Sequence, residues 1–460
     1  MNLENLHSVY FLGIGGIGMS ALARWFHANG FDVSGYDKTS TTLTDQLVAE
    51  GISIHFDDNE SLISDKIKAD HKGSLIVYTP AVPTKLGEYQ FFVKEGFEIL
   101  KRSQVLGMLT ESKYTIAVAG THGKTTTSSM VAHLLKSAGI DCSAFVGGIM
   151  TNYNSNLLIG INNDVMVVEA DEFDRSFLTL SPDVAIITAT DADHLDIYGS
   201  KDSLKDSFNE FIKNIKANGS LFIEEKVADE LELNPNNNIK VSTYGLNAGD
   251  VKAQNLTINN AKFEFSYHAD STAVNGFELA MPGFHNVSNA LAAIASVKGL
   301  ISDSDHWVKG INSYQGVKRR FEYIINREDL VYIDDYAHHP EEIKALLESV
   351  RALYPNKSVT AIFQPHLFSR TRDFMDGFAE SLSLADKVVL LDIYPAREQP
   401  IPGITSAAIE KKMTNGQTRS YVKDDVLQYF DDHQPEVLLT IGAGNIDTLV
   451  SPIKNKLESK

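Results

Sequence analysis

The loop Gly120-Thr121-His122-Gly123-Lys124-Thr125-Thr126-Thr127 constrains the fold of this chain more than any other stretch. It follows an apolar run at 114–119, which predicts a buried strand, and it precedes 128–138, where apolar side chains recur at helical spacing. Backbone N–H groups in a glycine loop and the positive end of a helix dipole attract an anion, and Lys124 adds a full positive charge. The pattern predicts a phosphate-binding loop in which the Thr125 hydroxyl binds magnesium.

The spacing of this loop differs from the standard pattern G-x-x-x-x-G-K-[ST]. Its first glycine stands three residues before the second rather than five. A glycine turn that carries a surface lysine is the alternative interpretation. We favour the phosphate loop because the strand, the glycines, the Gly-Lys-Thr sequence and the helix all agree with it.

A second glycine motif, Gly13-Ile14-Gly15-Gly16-Ile17-Gly18, lies near the N-terminus. It separates a predicted strand at 9–12 from a predicted helix at 19–29, and Asp37 follows the next predicted strand. The pattern is typical of dinucleotide binding, but the same cradle would hold the diphosphate of a nucleotide sugar, and the motif alone does not distinguish the two. Thr79 follows a further predicted strand and also suits ligand contact.

Acidic residues follow two apolar runs in the middle of the chain. Glu169 comes directly after a predicted strand at 164–168, and His194 lies in an acidic loop after a predicted strand at 184–190. Ligands of parallel sheets bind at the carboxyl ends of strands, and a carboxylate beside a phosphate loop commonly completes a magnesium shell. We therefore expect Glu169 to bind magnesium and His194 to be a second metal ligand or a phosphate contact. A solvated acidic turn is the alternative.

The pattern changes over 220–280, where short alternating runs predict small antiparallel strands. An alanine-rich helix then begins near Asn286, which suits the N-cap position. His285 and Asn289 lie in or beside the first turn, where both are candidates to reach an adenine or a ribose.

The C-terminal part repeats the pattern of a strand followed by polar residues. Asp335 and His338 follow the first of these strands, and Arg370 and Arg372 follow the second. Their shared position at strand ends favours a binding surface over plain surface polarity. The predicted strands are 330–333, 359–363, 387–391 and 437–441.

Composition and charge narrow the classes of function. The formal net charge of −19 argues against general nucleic-acid binding, which needs a basic face. No apolar run is long enough to span a bilayer, and residues 1–7 lack the layout of a signal peptide. Cys142 is the only cysteine, which excludes an internal disulfide and fits a reducing cytoplasm. We expect a cytoplasmic protein that binds neither nucleic acid nor membrane, as a monomer or a weak homodimer.

The order of these elements predicts an α/β fold with three domains. The first, over 1–107, is a Rossmann-like N-terminal domain. The second, over 108–320, is a central P-loop ATPase-like α/β domain, and the third, over 321–460, is a C-terminal Rossmann-like α/β domain.

Together these motifs resemble the Mur ligase family of peptidoglycan synthesis over essentially the whole chain. The phosphate loop also resembles the wider family, which includes folylpolyglutamate and cyanophycin synthetases. The first glycine motif and the Tyr-Ala-His-His-Pro sequence at 336–340 narrow the resemblance to the branch that adds L-alanine or its close relatives. The matching stretches are 13–19, 120–126, 169–172, 193–196, 198–199, 285–286 with 289, 335–340, 369–372 and 442–444.

The resemblance implies a ligase that uses ATP and Mg²⁺ to join L-alanine to the carboxylate of UDP-N-acetylmuramate. The family's reaction passes through an acyl phosphate and releases ADP. The first domain would bind the UDP part, the second ATP and magnesium, and the third the amino acid.

The resemblance also implies a role for each motif residue. The catalytic residues would be Lys124, His194, His338 and Arg370. ATP would contact Gly120, Thr121, His122, Gly123, Lys124, Thr125, Thr126, His285, Asn286, Asn289, Arg320 and Asp335. The nucleotide sugar and the amino acid would contact Gly15, Gly16, Ile17, Gly18, Asp37, Thr79, His338, Arg370 and Arg372. Magnesium would bind Thr125, Glu169 and His194.

The chain departs from the family pattern at three positions. Leu367 stands where many alanine-adding members have a basic residue, Phe173 where a serine is common, and Arg175 where a small residue is common. Leu367 bears on the amino-acid or phosphate contact, and Arg175 is a candidate to compensate from another direction. Several members hold a second magnesium with a carbamylated lysine; Lys201 and Lys205 lie at a suggestive distance after the acidic loop, and neither is assigned that role.

Three alternatives remain open at this point. A cell-wall recycling ligase would attach a whole tripeptide to the same nucleotide sugar, and competition between amino acid and tripeptide separates the two. A nicotinamide-dependent oxidoreductase would explain the first glycine motif and Asp37, but it leaves the phosphate loop unexplained. A nucleotide-sensing switch would bind ATP without turnover, which the paired metal-ligand candidates Glu169 and His194 argue against.

Overall fold

The computed structural model has an α/β fold built on three sheets. It describes residues 5–160, 164–191, 198–233, 238–259, 262–396, 398–414 and 418–459. Two compact units divide the chain. The first comprises Met1–Ala253, Tyr267–Val274 and Asn289–Ser313, and the second comprises Gln254–Ser266, Asn275–Ser288 and Tyr314–Lys460. The three-domain division, with boundaries after residues 107 and 320, stays a prediction.

The first sheet consists of five parallel strands. They are β1 (Ser8–Leu12), β2 (Asp32–Tyr36), β3 (Ser53–His55), β4 (Ser74–Tyr78) and β5 (Ile99–Lys101). Their order across the sheet is β3-β2-β1-β4-β5. Its helices are α1 (Ile17–Ala28), α2 (Thr42–Ala49), α3 (Asp65–Ala69), α4 (Gly87–Glu95) and α5 (Arg102–Glu111).

The strand order of this sheet reverses between β1 and β4, and ligands of open α/β sheets bind in the crevice at such a point. The N-terminal glycine motif follows β1, and Thr79 follows β4. Helix α1 begins at Ile17, two residues before the predicted start, so the last two residues of the motif form its first turn. Its buried face includes Leu22, Trp25 and Phe26, which anchor it on the sheet.

The second sheet has ten strands. They are β6 (Tyr114–Ala119), β7 (Cys142–Met150), β8 (Ser155–Leu158), β9 (Val165–Glu169), β10 (Val184–Ile187), β11 (Ser220–Glu224), β12 (Lys240–Gly245), β13 (Val251–Asn259), β14 (Lys262–Ala269) and β15 (Thr272–Leu279). Their order is β15-β14-β13-β12-β11-β10-β6-β9-β7-β8. The helices are α6 (Lys124–Ser137), α7 (Lys201–Lys213), α8 (Glu225–Ala228), α9 (Phe284–Val297) and α10 (Ser304–Ser313).

The centre of the second sheet brings three polar strand ends together. Strand β6 lies between β9 and β10 and is parallel to both, so the loops after these strands share one edge. All six residues of β6 match the predicted range. The prediction of small antiparallel strands over 220–280 is wrong for β11, β12 and β13, which pair in parallel and extend this sheet from β10.

The third sheet has six strands. They are β16 (Glu322–Asn326), β17 (Val331–Asp335), β18 (Val359–Phe363), β19 (Lys387–Leu391), β20 (Thr418–Tyr421) and β21 (Val437–Ile441), in the order β16-β17-β21-β18-β19-β20. The pair β16–β17 is antiparallel and the other pairs are parallel. The helices are α11 (Pro340–Leu353), α12 (Phe368–Asp373), α13 (Met375–Leu382), α14 (Ser406–Glu410), α15 (Val426–Asp432) and α16 (Val450–Glu458).

The central strands of the third sheet are buried along their whole length, as parallel strands covered on both faces should be. The predicted strands at 359–363, 387–391 and 437–441 have these bounds in the structure. Pro340 is the first residue of α11, as predicted from its fixed backbone angle. Throughout the described residues, no helix is both long and apolar enough to cross a membrane.

Candidate active site

The loop after β6 has a backbone that requires glycine at two positions. Gly120 has a φ of +133°, and a Cβ there would lie 2.1 Å from the hydroxyl oxygen of Thr188. Gly123 has a φ of +78° and directly precedes α6. Left-handed backbone of this kind is open to glycine at little cost. The loop therefore takes a left-handed turn directly before the N-terminus of α6, and the N-terminus of a helix is a favourable place for an anion.

Helix α6 begins at Lys124, four residues before the stretch 128–138 in which the sequence shows helical spacing. Thr125, Thr126 and Thr127 form its first turn and are at most 5% exposed. Threonine has only a modest intrinsic preference for helix, and here burial against the sheet overrides it. Lys124 and the predicted magnesium ligand Thr125 thus both lie on the first turn of α6.

The ammonium group of Lys124 is fully engaged within the protein. Its Nζ donates to the carbonyl oxygen of Gly120 at 2.7 Å and to the two carboxylate oxygens of Glu172 at 2.9 and 2.6 Å. The Glu172 side chain is fully buried, and that of Lys124 is 13% exposed. Burial alone would lower the pKa of Lys124, but the carboxylates of Glu172 and Asp171 outweigh it and raise that pKa. Lys124 is therefore a cation, and Glu172 is a partner that the sequence did not indicate.

Thr125 and Glu169 lie together at the same sheet edge, as predicted. The Thr125 hydroxyl donates to Glu169 Oε1 at 2.8 Å, and the backbone N–H of Gly147 donates to Oε2 at 2.7 Å. A hydroxyl and a carboxylate are oxygen ligands of the type that magnesium prefers. The two side chains fit one side of a magnesium shell.

The rest of that predicted shell is His194, which lies outside the described residues. Within the part of the chain that the structure describes, no three His, Cys, Asp or Glu side chains converge as metal ligands do. Thr125 and Glu169 supply two oxygen ligands, and magnesium commonly takes further oxygens from a phosphate substrate and from water.

Other predicted nucleotide contacts surround the loop. The hydroxyl of Thr121 accepts a hydrogen bond from the backbone N–H of Asp191 at 3.1 Å. His122 Nε2 lies 3.6 Å from an Asp191 carboxylate oxygen. On the other side, a Cβ on Gly123 would lie 2.9 Å from Asn289 Oδ1. The structure thus brings Asn289 to the phosphate loop, although 166 positions separate it from Gly123 along the chain.

A cavity of about 250 Å³ adjoins this edge of the second sheet. Part of its lining comes from the N-terminal glycine motif and Thr79, which the sequence predicted as nucleotide-sugar contacts. Another part comes from Glu169, the predicted magnesium ligand. The lining residues are Gly16, Ile17, Gly18, Met19, Ala21, Leu22, Thr79, Arg102, Leu106, Phe145, Val146, Gly147, Glu169 and Asp171. One cavity therefore borders both the N-terminal glycine motif and Glu169, the predicted magnesium ligand.

Arg102 is a candidate ligand contact that sequence reasoning missed. It is the first residue of α5, and of the lining residues that the structure describes it alone is cationic. A Cβ on Gly18 would lie 2.9 Å from Arg102 Nη1, so the guanidinium packs directly on the glycine motif. The basic pair Lys101-Arg102 is visible in the sequence, but the fold decides which way the Arg102 side chain points.

The Asp37 carboxylate binds the backbone of the N-terminal glycine motif. It accepts from the backbone N–H of Gly15 at 2.7 Å and from that of Thr39 at 3.3 Å. The acidic residue of a dinucleotide fingerprint ordinarily accepts from a ribose hydroxyl. In this structure its carboxylate instead fixes the turn of the loop.

In the second unit, two predicted residues, His338 and Arg370, both approach His366 beyond the carboxyl ends of β17 and β18. His338 and His366 have ring centroids 6.3 Å apart, and His366 stacks on Tyr394 at 5.7 Å. Arg370 donates to His366 Nδ1 at 3.4 Å. Burial, together with the charges of His338 and Arg370, lowers the pKa of His366 to about 4. His366 is therefore a neutral acceptor for the Arg370 guanidinium.

The remaining predicted residues of this unit have mixed placements. Arg320 lies over the ring of Tyr336 at 5.0 Å from the centroid. The Asp335 carboxylate accepts from the backbone N–H groups of Phe321 and Ala337 at 2.7 and 2.8 Å. Burial, opposed by Arg320, raises the pKa of Asp335 to about 6.

Among the described contacts, none joins Arg372 to His338, His366 or Arg370. Its guanidinium forms two hydrogen bonds to the carboxylate of the adjacent Asp373, at 2.7 and 3.1 Å, and its side chain is 55% exposed. The Arg372 side chain thus pairs with its neighbour at the surface, and its contact with substrate stays a prediction.

The helix α9 begins earlier than its sequence suggested. It starts at Phe284, so the prediction that Asn286 is its N-cap is wrong. Asn286 is instead buried in the first turn, and its Nδ2 donates to the carbonyl oxygen of Pro282 at 2.8 Å. His285 precedes it, and a Cβ on Gly283 would lie 2.7 Å from the His285 ring.

Comparison with known proteins covers the whole chain. Three family models match: Mur ligase family, catalytic domain, over residues 8–114; Mur ligase middle domain, over 118–297; and Mur ligase, glutamate ligase domain, over 319–444. A UDP-N-acetylmuramate–L-alanine ligase of Flavobacterium johnsoniae is 48% identical over 99% of both chains. Its counterpart in Cytophaga hutchinsonii is 47% identical over 100% of this chain and 99% of the relative.

Solved structures agree with these matches. The UDP-N-acetylmuramate–alanine ligase of Thermotoga maritima is 29% identical, with a TM-score of 0.81, over 98% of this chain and 99% of that one. A murein peptide ligase of Psychrobacter arcticus shares the fold, with a TM-score of 0.67 at 23% identity over 99% of both chains. Family models, full-length relatives and fold all agree, and the chain belongs to the Mur ligase family.

Proposed function

We propose that this protein is an ATP-dependent ligase that joins L-alanine to the carboxylate of UDP-N-acetylmuramate, releasing ADP and phosphate, in the synthesis of peptidoglycan precursors. The observation that carries the proposal is the shared cavity. Its lining includes the N-terminal glycine motif and also Glu169, which is hydrogen-bonded to Thr125 of the phosphate loop. A nucleotide sugar held by the motif would therefore extend toward the phosphates of a nucleotide held by the loop.

The proposed chemistry is the reaction that the family resemblance implies. The substrate carboxylate attacks the γ-phosphorus of ATP, ADP leaves, and an acyl phosphate forms. The amine of L-alanine then attacks the acyl carbon, and the tetrahedral intermediate expels phosphate. Activation of the carboxylate is necessary because a free carboxylate is a poor acceptor for an amine.

The first step brings several negative charges together in an acidic protein, so local cations decide its rate. Lys124 is the cation of the phosphate loop, and Arg102 is the cation of the cavity lining. Thr125 and Glu169, with His194 from the sequence, would hold magnesium, which neutralises charge on the phosphates when bound. In the second step, His338 and Arg370 would bind the alanine carboxylate and the departing phosphate.

The remaining assignments are part of the same proposal. Residues 1–107 would hold the UDP part, 108–320 ATP and magnesium, and 321–460 the amino acid. His285, Asn286, Asn289, Arg320 and Asp335 would contact the adenosine side of the nucleotide. We place the enzyme in the cytoplasm, where ATP is supplied, as a monomer or a weak homodimer.

The test is phosphate release from ATP and magnesium in the presence of UDP-N-acetylmuramate, with one amino acid added at a time and then the tripeptide. We expect release that requires both the nucleotide sugar and L-alanine. Release only with the tripeptide would assign the protein to recycling of cell-wall fragments. No release with any acceptor, together with tight NADH binding, would favour an oxidoreductase and refute the proposal.

A further inference from the structure

The phosphate loop of this protein carries its own counter-ion. An ammonium group has three hydrogens to donate. Those of Lys124 are satisfied by the Gly120 carbonyl and by both oxygens of Glu172, at 2.6–2.9 Å. In the protein without nucleotide, the positive charge that should attract phosphate is therefore already neutralised by a fully buried carboxylate.

The backbone of Glu172 is anchored at its carbonyl oxygen. Its backbone carbonyl accepts a hydrogen bond from the Tyr198 hydroxyl at 2.6 Å and another from the backbone N–H of Arg175 at 2.9 Å. The Arg175 guanidinium in turn lies over the Tyr198 ring, 5.6 Å from its centroid. Lysine, by contrast, carries its charge on a flexible four-carbon stem. Lys124 is therefore the member of the pair that can change partners.

A phosphate and Glu172 must compete for the same donors. Any hydrogen that Lys124 donates to a nucleotide is withdrawn from Gly120 or from Glu172, because all three are in use. Asp171 adds a further negative charge that acts on Lys124. Nucleotide binding thus gives up part of a buried ion pair, and nucleotide departure restores it.

We infer that Glu172 is an internal competitor of the nucleotide: it yields Lys124 to the phosphates when ATP binds, and it takes Lys124 back as ADP and phosphate leave. The inference rests on the proposed function, since it requires nucleotide at this loop. Glu172 acts through Lys124 and is a positioning residue. Its presence lowers affinity for ADP and accelerates product release.

The variant Glu172→Gln tests this directly, because glutamine has nearly the same size and keeps one acceptor oxygen but removes the charge. The assay is titration calorimetry of the full chain with ADP and magnesium. We expect the Kd for ADP to fall about tenfold relative to the unaltered protein, with kcat and the KM for ATP both lower because ADP leaves slowly. Damage to the fold would weaken binding instead, so the direction of the change separates the two causes.

Tyr198→Phe is the matched control. It removes the hydroxyl that binds the Glu172 backbone but changes no charge near Lys124. We expect its Kd for ADP to stay within twofold of the unaltered protein. Equal tightening in Tyr198→Phe and Glu172→Gln would show that loosening of the segment, rather than lost charge, is responsible, and would overturn the inference.

A folded Glu172→Gln protein with unchanged or weaker ADP binding also overturns the inference. If this variant does not fold, Glu172→Asp takes its place: the carboxylate remains, but a side chain shorter by one methylene weakens the pairing, and we expect binding about threefold tighter. Unchanged or weaker ADP binding by Glu172→Asp would likewise overturn the inference. Failure of the unaltered protein to bind ADP, or equal binding by Lys124→Ala, would contradict the phosphate-loop assignment instead.

Discussion

Replacing Lys124 with alanine perturbs both stability and chemistry, and the structure allows the two effects to be separated. The substitution leaves the Glu172 carboxylate buried without the ammonium that neutralises it. Removing one member of a buried ion pair costs about 3–5 kcal/mol. We therefore expect Lys124→Ala to lower the free energy of unfolding by about this amount, measured by urea denaturation at neutral pH.

The double variant Lys124→Ala/Glu172→Gln removes the stranded charge as well. We expect it to recover most of the lost free energy of unfolding but none of the lost activity. Loss of one preorganised donor to a developing charge lowers the rate about 10²–10³-fold. Loss of the full positive charge of Lys124 beside the transferring phosphoryl group should lower the rate at least as much. Phosphate release with both substrates measures this loss, and binding of the nucleotide sugar alone should persist in both variants.

The control is Lys136→Ala, which removes an exposed lysine from the last turn of the same helix. It should leave both stability and turnover within error of the unaltered protein. Turnover of Lys124→Ala within tenfold of normal would refute the assignment of the phosphate loop. Normal stability of Lys124→Ala would refute the argument that Glu172 depends on Lys124 for its charge.

Further substitutions test the cavity, the metal ligands and a buried acid. Arg102→Ala should raise the KM for UDP-N-acetylmuramate by roughly 10- to 150-fold, since a hydrogen bond to a charged group contributes about 1.5–3 kcal/mol; the exposed Arg327→Ala serves as control, and an unchanged KM would exclude Arg102 from the site. Glu169→Gln should shift the magnesium titration of activity at least tenfold higher, and an unchanged titration would remove it from the metal shell. Burial raises the pKa of Glu88 to about 7 although Tyr10 donates to it. Between about pH 4.5 and 7 the folded state therefore keeps a proton on Glu88 that the unfolded state has lost. The free energy of unfolding should fall by about 3 kcal/mol as pH rises through this window. Glu88→Gln should flatten this dependence in urea titrations, and an equally steep slope in the variant would contradict it.

Local sequence determined the parts of the site that depend on neighbours along the chain. The strand 114–119, the glycines after it and the lysine that follows form one continuous segment, and each of these local choices agrees with the fold. Pro340 could likewise be placed as the first residue of a helix because its ring fixes the backbone angle. The motifs also carried the resemblance to the Mur ligase family, which the full-length relatives confirm.

The tertiary structure alone decided which distant groups meet. Glu172 pairs with Lys124 across 48 residues of sequence because β9 and β6 are adjacent in the sheet. Arg102, the first residue of α5, lines the same cavity as Glu169, which ends a strand of the second sheet. Strand order and packing set these distances, and no local preference encodes them. The early start of α6 at Lys124 has the same origin, because burial of its threonines outweighs their weak preference for helix.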